Sequence, residues 1–171
     1  MSEIATKSEL LLDTVKRRER DEKIIEVDEE KIKVVIFRAG SRCYAFYGRN
    51  IREILTPREI AWAPGLPDYL PGLINVRGDI ESVIDLRAFL GEERADCAQC
   101  HIAIAVADDF ISGILVDVVE DVVDIPASGI KPVIAGLPDA VRELVAGEFE
   151  HGGETVVLLD LAKLAAKVTV R

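Results

Sequence analysis

The chain has 171 residues, 49% of them hydrophobic and 30% charged, with a formal net charge of −10. That acidity argues against nucleic acid as a partner, because binding a polyanion relies on clustered Lys and Arg that neutralise phosphates. No uncharged apolar run approaches the roughly 18–20 residues that span a bilayer, so no direct membrane insertion is expected.

Residues 1–30 contain no Gly and no Pro and are rich in Glu, Lys, Arg and Leu, a helix-forming composition. Glu3 and Glu9 stand where a secretory signal would be positive, and Leu10–Leu12 is too short for its apolar core, so the expected location is the cytoplasm. Leu10, Leu11 and Val15 form a short apolar stripe, which predicts an amphipathic helix over Ser8–Lys23 that packs on the domain or frays. The cluster Lys16-Arg17-Arg18 with Arg20 lies in a segment of ten acids and six bases, and reads as a mixed-charge solvated face.

From Lys31 to Arg171 the texture changes to short β-rich runs separated by turn residues, and this span is expected to be one domain. Ile32–Arg38 and Arg42–Tyr47 flank Ala39-Gly40-Ser41 as a hairpin. Further predicted strands are Ile51–Leu55, Leu73–Val76, Ile80–Asp85, Ile102–Ala107, Phe110–Val116, Val118–Ile125, Glu143–Phe149 and Thr155–Leu159. Helix is confined to a turn near Leu86–Leu90 and a C-terminal segment, Asp160–Lys167. Many short strands with Gly/Pro turns favour closed barrels, and the scarcity of crossover helices argues against a long parallel sheet.

The catalytic inventory is thin. His101 and His151 are the only near-neutral acid-base groups, and no phosphate-loop, dinucleotide or nucleophile-elbow motif is present. Cys97-Ala98-Gln99-Cys100-His101 matches the spacing for covalent haem attachment, with redox and zinc roles as alternatives and an inert loop as the default. Three cysteines make no disulfide framework in a cytoplasmic chain, and Cys43 reads as a small buried residue. The acids of Glu92-Glu93 and of Asp117–Asp124 lack calcium-loop spacing. No cofactor is therefore expected.

Pro64, Pro67 and Pro71 fix φ and remove backbone donors, so their segment, with Gly65, is a shaped loop. Gly72 releases it into Leu73–Val76, and Arg77-Gly78-Asp79 turns the chain into Ile80–Asp85, Gly78 taking a conformation denied to other residues. Arg77 is then either structural, paired with Glu53 or Asp85, or a recognition residue offering a planar five-donor fork.

Five ordered blocks resemble the signatures of CheW-type chemotaxis adaptors: YAFYGRNIREIL (Tyr44–Leu55), PGLPDYLPGLINVRG (Pro64–Gly78), VIDLRAFLG (Val83–Gly91), SGILVDVVEDV (Ser112–Val122) and VVLLDLAKLA (Val156–Ala165). The resemblance implies a mainly β fold of two intertwined five-stranded SH3-like barrels, here with an N-terminal helical extension and a short C-terminal helix. It implies a non-catalytic adaptor that couples the cytoplasmic tip of methyl-accepting chemoreceptors to the regulatory domain of the histidine kinase CheA, recruited to membrane receptor arrays. Carried over by motif position, the receptor-binding residues are Ile51, Glu53 and Arg77, and no kinase-binding residue is assigned. Glu81-Ser82 stand where the family has a hydrophobic residue and then proline, which predicts a changed kinase-facing surface or strand path. Gly48 replaces a larger apolar residue beside the receptor groove. A CheW-like scaffold of a paralogous, non-motility pathway is the alternative, and a redox or haem sensor using Cys97, Cys100 and His101 is the third reading.

Overall fold

The computed structural model describes residues 8–18, 29–93, 98–133 and 135–169. Helix α1 covers residues 8–18; the rest of the predicted N-terminal helix lies outside the described residues. Ten strands follow: β1 (Lys31–Ala39), β2 (Arg42–Tyr47), β3 (Ile51–Leu55), β4 (Gly72–Val76), β5 (Asp79–Asp85), β6 (His101–Ala107), β7 (Phe110–Val116), β8 (Val118–Pro126), β9 (Val145–His151) and β10 (Glu154–Leu159). Short helices α2 (Arg87–Leu90) and α3 (Asp139–Arg142) and the C-terminal α4 (Leu161–Thr169) complete the fold.

The strands form two five-stranded sheets, ordered β8-β1-β2-β10-β9 and β3-β6-β7-β5-β4. The chain leaves the first sheet after β2, builds the whole of the second from β3 to β7, and returns with β8 to β10 to complete the first. Each sheet holds one parallel pair, β10 with β2 and β5 with β7, among antiparallel neighbours.

Both sheets share one plan. A bulge at Arg52 in β3 matches one at Glu120 in β8, each followed by an acid, Glu53 or Asp121. The isolated bridge Ala61–Leu73 matches Lys131–Glu148. A Cβ on Gly72 would sit 2.3 Å from the Ala61 carbonyl oxygen, and one on Gly147 2.9 Å from that of Lys131, so both crossings require glycine. Gly65-Leu66-Pro67-Asp68 recurs as Gly136-Leu137-Pro138-Asp139.

Each sheet buries its own apolar interior, Val34, Ile36, Ala45, Phe149 and Leu158 in the first and Ile74, Val83, Ile102, Ile104 and Leu115 in the second. A larger shared core joins them: Phe37, Tyr44 and Phe46 meet Ile84, Ile114 and Val116, sealed by side chains of α2, α3 and α4. The Phe37 and Phe46 rings stack with centroids 5.2 Å apart. Asp160 caps α4, its Oδ1 accepting from the Ala162 amide at 2.9 Å.

The tenfold strand pattern predicted from the sequence is present, with two differences. β9 begins two residues later than predicted, and α3 was not foreseen. Leu144 donates its amide to Val141 O at 2.9 Å, completing the α3 turn before the chain can extend.

Candidate functional site

The two-residue corner Arg77-Gly78 joins β4 to β5, with φ of 54° and 94°. Both positive angles match the twist of a tight hairpin, which makes Gly78 apt and Arg77 strained. Asn75 Oδ1 accepts the Gly78 amide at 2.8 Å and braces the corner. From it the Arg77 guanidinium reaches Glu53 Oε2 at 2.9 Å, crossing between β4 and β3, the two edges of the second sheet. Glu53 is largely covered while the Arg77 side chain is 81% exposed, so the carboxylate aims a guanidinium whose other donors face outward.

Ile51 is half-buried two residues before Glu53 and packs against the shared core, so the predicted trio lies along one path from that core to the surface. Asp85, the other partner considered for Arg77, is buried and bound instead to Arg87, at 3.0 Å from Nε to Oδ1. Exposed apolar side chains stand on the same sheet: Ile54 on β3, Ile80 on β5 just past the corner, and Trp62 beside the Ala61–Leu73 bridge.

The proline segment is a loop against β4. Pro64 and Gly65 form an exposed turn, Gly65 with φ 83°, and Pro67 O accepts the Leu70 amide. Tyr69 anchors the loop: its ring lies 5.2 Å from Phe89, and its carbonyl accepts the Asp85 amide at 2.8 Å. Glu81 and Ser82 sit in register opposite Ile74 and Leu73, so the path of β5 is regular. Ser82 meets Ser112 across the sheet at 3.0 Å, a polar pair in a half-buried row. Gly48 lies in a 3-10 turn over Lys33 of β1.

Of the haem-like segment, Cys97 lies outside the described residues. Cys100 is buried and disulfide-bonded, which the odd cysteine count did not predict. His101 Nδ1 accepts the Val119 amide at 2.9 Å and ties β6 of the second sheet to β8 of the first.

Two charged clusters escaped the sequence reading. Arg87 binds Asp85 and lies 3.6 Å from Asp117, whose other oxygen accepts the Gly40 amide at 2.8 Å; the cluster links β5, α2, the start of β8 and the β1–β2 turn. The Asp-x-Arg of the VIDLR block was its only signal. Arg38 binds Glu120 at 2.8 Å and Glu154 at 2.9 Å, and the Cys43 thiol donates to both carboxylates. Cys43, Glu120 and Glu154 could together ligate a metal ion. The Arg38 guanidinium already supplies the cation, and burial pushes the thiol up to about 12, away from a thiolate ligand.

The corner thus presents an exposed guanidinium, aimed by a covered carboxylate, at one end of the second sheet. A family model described as a CheW-like domain matches residues 33–169. The chain belongs to the CheW-like domain family. It is 30% identical over 132 residues to "Probable chemotaxis protein CheW" of Rhizobium etli, covering 77% of this chain and 85% of that one. It is 26% identical over 155 residues to "Protein PilI" of Pseudomonas aeruginosa, covering 88% and 87%. The crystal structure of scaffolding protein TtCheW from Thermoanaerobacter tengcongensis superimposes with a TM-score of 0.67 at 24% identity, over 77% of this chain and 90% of that one, a likeness of fold. The CheW-like match covers both barrels and begins within β1, after α1.

Proposed function

We propose that this CheW-like domain is a non-catalytic adaptor that couples methyl-accepting chemoreceptors to a CheA-type histidine kinase, with the receptor's helical tip contacting Ile51, Glu53 and Arg77. The observation that carries the reading is the corner: an exposed guanidinium held on a strained turn and aimed by Glu53. A side chain fixed before binding loses less entropy on contact, which suits Arg to an interface anchor. Arg77→Ala is expected to leave the fold intact and weaken capture of a cognate receptor tip by roughly fivefold or more, the cost of a hot-spot truncation above ~1 kcal/mol. Unchanged capture in a pull-down would remove the assignment.

The similarity to PilI, together with Glu81-Ser82 on β5, favours a second reading, in which the same scaffold serves a paralogous, non-motility pathway. Pull-down against both kinds of kinase separates the two readings, since capture of a non-motility kinase alone selects the second.

A further inference from the structure

The first sheet has an open seam between its edge strands β8 and β9. They approach at His151 Nε2, 3.3 Å from Asp121 Oδ2, and the Lys131–Glu148 bridge pins the segment after β8 to β9. In the shared plan of the two sheets this seam corresponds to the one that Arg77 and Glu53 span. Asp121 stands in the place of Glu53, and Gly152, the first residue of the β9–β10 corner, in the place of Arg77. Farther along the seam from that corner lies a groove of about 430 Å³. Ile125, Pro126 and Phe149 line it, and Lys131, Glu148 and Glu150 flank it.

Helix α1 carries a matching face. Leu11, Leu12 and Val15 share one side of a 3.6-residue helix and are 67%, 59% and 52% exposed. A helix of this length needs tertiary support, since isolated helices shorter than about 12–15 residues are marginal in water. The chain enters the body at the groove's lip: the Ala127 amide donates to Glu30 O at 2.8 Å, and the Ser128 hydroxyl donates to Glu29. Residues 19–28 span at most about 35 Å when extended, more than the roughly 16 Å length of α1. Only ten residues, 19–28, separate α1 from Glu29 at the groove's lip, which puts the chain's own groove within covalent reach. Lys16, Arg17 and Arg18 at the end of α1 complement Glu148 and Glu150.

We propose that α1 docks in cis into the β8–β9 groove, seating Leu11, Leu12 and Val15 over Ile125 and Phe149. Docking covers two strand edges that would otherwise recruit other chains. It is independent of what binds at Arg77.

The full-length chain is tested by lysine cross-linking and amide exchange. A Lys16–Lys131 link within the monomer is expected, with slower exchange over residues 125–131 and 147–151 than in the Leu11→Glu/Leu12→Glu variant. Glu148→Arg/Glu150→Arg, which leaves the helix sequence untouched, is expected to lose the same link. Equal exchange with and without the leucines, or a link unaffected by the charge reversal, overturns the proposal. So does a link found only between differently isotope-labelled copies, which would assign the groove to a second chain.

Discussion

Arg77 occupies a left-handed turn position that favours Asn or Gly. Its backbone costs roughly 1–2 kcal/mol relative to an extended residue, whereas an ion pair with so exposed a guanidinium returns about 0.2–1 kcal/mol. The strain therefore exceeds what the Glu53 contact restores within the fold, which accords with the receptor contact proposed for Arg77. Arg77→Asn creates the preferred Asn-Gly hairpin corner and is expected to raise stability by roughly 0.5–1 kcal/mol, read as a higher urea midpoint; a lower midpoint would contradict this account of strain. Cys43 gives a prediction about pH. Burial first, and hydrogen bonds to Glu154 and Glu120 second, push its thiol from 9.0 up to about 12. The folded chain keeps that proton while the unfolded chain sheds it, so this contribution to stability is constant below about pH 9 and falls as pH rises toward 12. Tyr44, also raised by burial to about 12, acts in the same direction. Cys43→Ala should therefore lose less stability than the parent between roughly pH 8 and roughly pH 10.5, checked by urea midpoints at the two values.

Gly72 shows how one residue fixes an element. An added Cβ would press on the Ala61 backbone, which cannot step aside without losing its bridge to Leu73. Gly72→Ala is expected to destabilise the fold by about 1–3 kcal/mol, measured by thermal unfolding; an unchanged Tm would show that the proline loop can shift. Much of this level was legible in the sequence. Short β-rich runs such as Ile102–Ala107 and the turn residues between them marked the strands because both are local signals. Helix α3 was not legible: one turn is too short for periodicity, and it forms because Leu137, Val141 and Leu144 enter the shared core. Partners were only half legible. Spacing allowed Arg77 either Glu53 or Asp85, and the choice is made by Arg87, which lies two residues from Asp85 and claims it. Nor does local sequence reveal that β10 pairs with β2 or β5 with β7, since those registers join strands far apart along the chain.

At the scale of the whole molecule the two barrels share one plan but not one surface. The repeated Gly-Leu-Pro-Asp tetrapeptide was the sequence signal of that plan, and the chain leaves its two copies differently: Tyr69 anchors one loop, while Val141 buries the helix in the other. The cluster of buried Asp85 and Arg87 with half-buried Asp117 ties the end of β5 to the link between β7 and β8, and so joins the two sheets. Asp85→Ala leaves a nearly covered guanidinium short of its main partner and is expected to cost about 3–5 kcal/mol; a loss below about 1 kcal/mol in urea unfolding would show that Asp117 suffices alone. The barrel relation matters because it sets where the Arg77 corner stands against Ile51 and the shared core. The most direct test of the coupling role is receptor-dependent kinase activation in a reconstituted receptor, kinase and adaptor assay, comparing the parent chain with Arg77→Asn at equal folded concentration. The account predicts that the variant, though at least as stable, fails to support activation, and activation at the parent level would contradict it.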